Sequence, residues 1–247
     1  MRNRVEHEAM GVAHGVRRRI PRNAAASLAL IAVLAAMPAA QQSGVEWTID
    51  NLTSIGGHPV TVLGAPRVVE TEVGRALEFN GTSDGIFVDA NPLEGLGAFT
   101  LEVLFSPAAD GPPEQRFVHI EDTREGGNRA LIETRILPGG VWSLDTFLKQ
   151  GEASRALLDR EKTHPANAWY VASLVYDGRV MTHFVNGARE LSGDVAFGAL
   201  GAGRTSLGVR QNRVYWFKGR IRTLRITPRA LLANELLRVP PAAGPVR

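Results

Sequence analysis

The sequence predicts an all-β fold in which two antiparallel sheets pack as a sandwich. Three observations predict it. Helical periodicity is almost absent after residue 45, where short apolar or alternating runs are punctuated by Gly, Asn and Asp. Turn signals stand at Asn80-Gly81, Gly139-Gly140, Asp177-Gly178 and Asn186-Gly187, each between runs rich in Val, Ile, Leu, Phe or Trp; such pairs supply the positive φ angles that tight hairpins need. No long helix separates the strands, as a parallel sheet would require.

The first forty residues stand apart. Arg17, Arg18, Arg19 and Arg22 precede an apolar stretch from Ala24 to Ala36, and Ala39-Ala40 lead into the polar Gln41-Gln42. Basic, apolar and small segments in that order are the plan of a secretory signal peptide. As a helix, residues 24–36 would rise only about 20 Å, short of a hydrocarbon core of roughly 30 Å. Export to the periplasm or exterior is therefore expected, with an uncleaved N-terminal membrane anchor as the alternative. Pro38 sits where a cleavage site prefers a small residue. Residues 41–238 then form one domain and 239–247, with Pro240, Pro241 and Pro245, a frayed tail.

Composition narrows the function. Residues 1–40 hold six Arg and two Glu, so a chain of net charge +3 leaves residues 41–247 at −1. The basic pI of about 9.7 is thus no argument for nucleic acid. The absence of cysteine excludes disulfides, thiolate zinc sites and a cysteine nucleophile. No phosphate loop, dinucleotide fingerprint or His-Glu-x-x-His helix occurs.

Strands are expected at 74–79, 85–88, 98–106, 116–120, 129–136, 141–148, 169–176, 180–186, 204–210 and 216–226. Alternation assigns faces. In 129–136 the core set is Ala130, Ile132, Thr134 and Ile136, leaving Leu131, Glu133 and Arg135 outside. In 141–148 Trp142, Leu144, Thr146 and Leu148 point inward, and Ser143 and Asp145 outward. A hairpin through 138–140 would put Glu133, Arg135, Ser143 and Asp145 on one polar face. Residues 228–237 are the only helix-like piece after the leader, expected as a short cap.

Four blocks in order carry a family resemblance. They are Gly74-Arg-Ala-Leu-Glu-Phe-Asn-Gly81 with Asp84 and Val88; Phe99-Thr-Leu-Glu-Val-Leu-Phe-Ser-Pro107; Trp169-Tyr-Val-Ala with Tyr176-Asp-Gly178 and Phe184-Val-Asn-Gly187; and Phe217-Lys-Gly-Arg-Ile221 with Leu224 and Ile226. Over residues 70–230 the chain resembles the laminin G-like, concanavalin A-like jelly-roll domains of bacterial exported proteins. The resemblance implies a jelly roll whose relatives bind glycans, proteins or lipids, sometimes through calcium, or degrade polysaccharides. Fold alone does not choose among these.

Several constellations could carry chemistry. Glycosidases of this fold use Glu-x-Asp-x-Glu along one strand, because retaining chemistry needs two carboxylates about 5 Å apart; here Glu133-Thr134-Arg135 puts a cation in the second place. A lyase needs a base and a group that neutralises a uronate, for which His119 or His183 with Arg135 or Arg210 are the available types, Tyr215 among them. His183 alternates with Met181 and Val185, which also fits a satisfied core histidine. Calcium, the one cofactor considered, would draw on Asn80, Asp84 and Asp89, with Glu121-Asp122 as a second acidic loop, although Asn and Asp in a Gly-rich turn commonly cap the turn itself.

The segment 204–229 holds Arg204, Arg210, Arg213, Lys218, Arg220, Arg222, Arg225 and Arg229 without an acidic residue, around Tyr215, Trp216 and Phe217. Guanidinium forks and aromatic faces suit an acidic glycan; the plainer reading pairs these cations with Glu102, Glu133 or Asp145 on neighbouring strands. The sequence reading is a non-catalytic module binding carbohydrate, an acidic glycan in particular, through Glu133, Arg135, Asp145 and Arg210, with Trp216 as stacking surface. The alternatives are a polysaccharide-degrading enzyme, lyase before hydrolase, and an interaction domain for an extracellular protein.

Overall fold

The structure is a computed structural model and describes residues 43–124 and 127–241. The expected leader lies outside the described residues. Among the described residues no helix is long and apolar enough to cross a membrane.

The chain forms seventeen strands and no helix among the described residues. In order they are β1 (Val45–Thr48), β2 (Ser54–Ile55), β3 (His58–Leu63), β4 (Arg67–Val69), β5 (Ala76–Asn80) and β6 (Gly85–Val88). Then follow β7 (Phe99–Pro107), β8 (Glu114–Asp122), β9 (Arg129–Leu137), β10 (Val141–Gln150), β11 (Ala153–Leu158) and β12 (His164–Pro165). The last are β13 (Tyr170–Tyr176), β14 (Val180–Val185), β15 (Ala188–Asp194), β16 (Gly203–Leu207) and β17 (Lys218–Thr227). The first sheet runs β15-β14-β13-β7-β17-β5-β4 with β1 also on β17, and the second runs β11-β10-β9-β8-β16-β6-β3-β2 with β12 on β10. All strand pairs are antiparallel. This is the expected two-sheet sandwich.

Every expected strand is present. The seven unforeseen ones, β1 to β4, β11, β12 and β15, are short or carry exposed, polar-rich patterns, so little apolar alternation marks them. The turns behave as their residues require: Asn186 and Gly187 adopt φ 50° and 77°, and Gly139 and Gly140 φ 89° and 71°.

The core lies between the sheets. Phe105 stacks on Phe117 with centroids 4.5 Å apart, Phe117 on Phe217 at 4.8 Å, and Trp142 meets Phe105 edge-on at 5.2 Å. Such pairs add about 0.5–1.5 kcal/mol each beyond burial. A bulge between Arg116 and Val118 in β8 lets Phe117 and Val118 both enter this core while Arg116 stays on the far face.

One expectation is corrected. Residues 228–237 form no helix; they contain a single turn, closed by Glu235 N donating to Leu232 O at 2.9 Å. The segment instead straps the outer face of the first sheet. Leu231 and Leu236 pack on Val175 and Phe184, and Leu237 and Val239 on Val73, Ala76, Leu104, Trp169 and Val171. Thr100 Oγ1 donates to Arg229 O at 2.8 Å and accepts from Leu231 N at 2.9 Å. The strap removes these two apolar patches from water, together with Glu102, which accepts from Leu237 N, and a solvated helical cap would not do so. Contact persists at Val239, the first residue of the expected tail.

Candidate functional site

The outer face of the second sheet has the opposite character. The β8-β9-β10 register sets Glu114 opposite Arg135 and Arg135 opposite Ser143; the next rung holds Arg116, Glu133 and Asp145. Alternation carries these side chains out while Ile132, Thr134, Trp142, Leu144 and Thr146 are buried toward the core. Glu133, Arg135, Ser143 and Asp145 therefore share one face, as the hairpin implied. The face is not washed by solvent, however: Glu133 is 2% and Asp145 3% exposed.

Guanidinium groups hold the two carboxyls. Arg116 Nε donates to Glu133 Oε1 at 3.0 Å, and Arg135 Nη2 to Glu133 Oε2 at 3.2 Å. Arg135 also donates through Nε to Asp145 Oδ2 at 3.0 Å, with Nη2 on the same oxygen. Glu114 closes the network, at 2.7 Å from Arg135 Nη1 and 2.6 Å from Arg116 Nη2. Burial, and then the neighbouring Asp145 charge, push the Glu133 carboxyl up to about 7. Burial also raises that of Asp145. A carboxyl pair thus exists across strands, where the linear Glu-x-Asp-x-Glu pattern could not reveal it.

Beside this pair lies a cavity of about 230 Å³ lined by Arg116, Arg129, Leu131, Glu133, Arg135, Asp145, Phe147, Ala156 and Arg210. Four of the five residues expected to bind ligand, Glu133, Arg135, Asp145 and Arg210, line it together. Arg129 completes the cations and lies over the Phe147 ring at 5.1 Å. Burial and the Arg210 charge lower its pKa. Among the described residues Arg210 makes no side-chain hydrogen bond or ion pair, and Arg116 Nη1, Arg129 Nε and Asp145 Oδ1 are buried without a hydrogen-bond partner. Such atoms cost about 1–3 kcal/mol each when left unpaired, so this face keeps hydrogen-bonding capacity in reserve.

The fifth residue is misplaced. Trp216 is half-buried and outside the cavity lining. The exposed aromatic is Tyr215, 39% exposed, with the Arg116 guanidinium 3.7 Å from its ring centre. Both Arg213 and Tyr215 adopt φ 62°, a left-handed conformation that costs non-glycine residues about 1 kcal/mol or more and tends to gather at ligand clamps. The loop 208–217 is held down by Gly208 N on Phe117 O at 3.0 Å and Gln211 N on His119 Nδ1 at 3.1 Å. The backbone reversal at 213–215 turns Tyr215 rather than Trp216 outward, and side-chain size alone does not signal it.

The candidate lyase groups fall in two places, His183 in the core and His119 beside the Arg210 loop. His183 projects from the first sheet into the core, where Nδ1 lies 3.0 Å from Thr146 Oγ1, and burial lowers its pKa to about 4. His119 is on the outer face of the second sheet but is buried and 2.7 Å from Glu121. Burial lowers its pKa as well. Arg135 is occupied by three carboxylates.

The candidate calcium ligands do not converge. Asn80 Oδ1 accepts from the backbone of Thr82, Ser83 and Asp84, Asp84 accepts from Ala65 N and Asn80 N, and Asp89 pairs with Arg204 at 2.6 Å. These oxygens cap the turn, as Asx geometry favours. Asp122, of the second acidic loop, is taken up by Arg124 and Asn128. Among the described residues no group of three or more His, Cys, Asp or Glu side chains is arranged for a metal ion.

The cationic segment 204–229 is likewise dispersed. Arg204, Lys218, Arg220, Arg225 and Arg229 pair with Asp89, Asp110, Glu78, Glu102 and Glu235. Only Arg210 of this segment lines the cavity. Arg116 and Arg129, which sequence reading did not single out, supply the other cations; they are separated along the chain and meet only through strand register.

Comparison with solved structures gives domain 4 of AbnA, an extracellular arabinanase from Geobacillus stearothermophilus, solved with arabinotriose: 20% identity, TM-score 0.57, 79% of this chain and 97% of that one. The binding domain of Paraclostridial Mosquitocidal Protein 1 matches at 15% identity and TM-score 0.58, over 78% of this chain. The binding domain of botulinum neurotoxin DC, in complex with SialylT, matches at 12% and 0.57, again over 78%. The chain covers about half of those two binding domains, 50% and 49% respectively. At these identities the likeness is one of fold. No curated protein matches the chain in sequence. The laminin G type family model described as the concanavalin A-like lectin/glucanases superfamily matches residues 80–237, more than half of the chain, and the protein belongs to that family.

Proposed function

We propose that the protein is an exported, non-catalytic module that binds an acidic glycan in the cavity on the outer face of its second sheet. One observation carries this reading: four arginines line the cavity against two carboxyls, and one of the carboxyls, Glu133, has its pKa lifted to about 7 and so is partly neutral at physiological pH. Arg116 and Arg135 are engaged by Glu114, Glu133 and Asp145, so the forks open to a carboxylate or sulfate are those of Arg129 and Arg210. Tyr215 presents an exposed ring beside Arg116, one of the cavity's lining residues. A cavity of about 230 Å³ is below the range of about 300–1,000 Å³ that encloses drug-sized ligands, so it suits a single ring or chain end. The arabinotriose complex of the AbnA domain gives coarse support for a carbohydrate ligand in this fold.

The test is a glycan array probed with the wild-type chain and with Arg210→Ala, with and without chelator, followed by absorbance assays for unsaturated products. Retention of uronic-acid or sulfated glycans, reduced about tenfold or more in Arg210→Ala and without turnover, is the expected result. Retention of neutral glycans alone refutes the acidic ligand, and product formation refutes the non-catalytic reading. Failure of every glycan would favour an interaction domain for another protein.

A further inference from the structure

The geometry points to a second carbohydrate site, for a neutral, hydroxyl-rich oligosaccharide, in the cavity of about 650 Å³ on the outer face of the first sheet. Its walls come from the ends of β4, β5, β7 and β17 and from Asn167, beyond the part of the sheet that the strap covers. The volume lies within the range of about 300–1,000 Å³ typical of small-molecule sites.

Charge distinguishes this cavity from the acidic-glycan site. Arg67 and Arg220 both pair with Glu78, the latter at 3.1 Å, and Lys218 Nζ reaches Asp110 Oδ2 at 2.5 Å. Asp84 is satisfied by Ala65 N at 2.9 Å and Asn80 N at 3.1 Å. Three cations, Arg67, Lys218 and Arg220, stand among three carboxylates, Glu78, Asp84 and Asp110, so the cluster carries no net charge for an ionic ligand to neutralise. What stays open is neutral. Ser106, only 6% exposed, lines the cavity with a hydroxyl that has no partner among the described residues. Asn167, at φ 64°, spends its Oδ1 on Ala109 N at 3.0 Å, which leaves its amide Nδ2 free. The paired carboxylates and guanidiniums around them keep further lone pairs and N–H groups for bidentate contacts with vicinal hydroxyls. A balanced mixture of donors and acceptors without net charge recognises a polyol and penalises an ion, whose desolvation it cannot repay.

The test uses neutral arabino-, xylo-, gluco- and mannotriose, with uronic-acid trimers as charged counterparts, titrated into the isotope-labelled chain. The expected result is that a neutral trimer shifts the amide resonances of Ser106, Asn167 and Arg220, and that Ser106→Ala with Asn167→Asp weakens it by about tenfold or more. Ser106→Ala removes an unpaired hydroxyl and Asn167→Asp keeps the oxygen that holds Ala109, so the fold is preserved. Should either variant misfold, the wild-type shifts still decide. No shift by any neutral trimer up to about 10 mM overturns the proposal, as do shifts centred on Arg129, Leu131 and Phe147. Uronic-acid shifts at those three residues test the acidic site separately, so either site can fail alone.

Discussion

The two outer faces bury carboxylates in different ways. On the first sheet Glu102, 0% exposed, receives Arg225 Nε at 2.6 Å, Ser173 Oγ at 3.3 Å and Leu237 N at 2.7 Å, and the strap closes over it. On the second sheet, among the described residues, Glu133 and Asp145 are held by Arg116 and Arg135 alone, and polar atoms of Arg116, Arg129 and Asp145 lack partners. A buried charge whose hydrogen bonds are complete serves the fold. One whose network is left incomplete beside a cavity is where a ligand can supply what the chain does not.

Removing one arginine from each face should break that comparison most strongly. Arg135 is the partner of Asp145 and one of two for Glu133, so Arg135→Met leaves two buried carboxyls facing each other. A loss of about 3–5 kcal/mol is expected from urea unfolding at pH 7. Arg225→Met should cost less, about 2 kcal/mol, because Glu102 keeps Ser173 and the strap amide. Equal losses would mean that the two networks do not differ in kind.

The pH dependence of stability sharpens the same contrast. The folded-state pKa of Glu133, about 7, lies above the ordinary 4.5, so the folded state takes up its proton more readily than the unfolded chain. Its contribution is fully present below pH 4.5 and is lost as pH rises through 7, by about 3 kcal/mol over the span. Glu133→Gln cannot ionise and should flatten that slope in unfolding curves collected from pH 4.5 to 8. An unchanged slope would show that Glu133 is ionised in the fold throughout.

Much of this was legible in the sequence. Glu133, Arg135, Ser143 and Asp145 could be placed on one face because period-two alternation and the Gly139-Gly140 turn together fix register. Arg116 could not, because a bulge at Phe117 shifts its strand by one residue and no local pattern announces a bulge. Tyr215 was missed in favour of Trp216 because a left-handed backbone at two non-glycine residues decides which ring turns out. Residues 228–237 look helix-like in sequence, with Leu231, Leu232, Leu236 and Leu237 and no turn pair among them. Three of these leucines instead meet two separate patches of sheet, while Leu232 is 70% exposed.

The strap allows the smallest of these tests. Leu236 is buried against Val175, Phe184 and Leu231, and truncation of such a leucine costs about 2–5 kcal/mol in a closed core. Here Leu236 itself lies on a segment that can settle onto the sheet, so Leu236→Ala should sit near the lower limit, about 2 kcal/mol. Its effect should be local: faster amide exchange at Leu231 and Leu237, whose N–H groups bond Thr100 and Glu102, with the second-sheet amides unchanged. Exchange that quickened equally at Leu131 and Phe147 would show that the strap supports the whole sandwich, and the division between a closed structural face and an open ligand face would not hold.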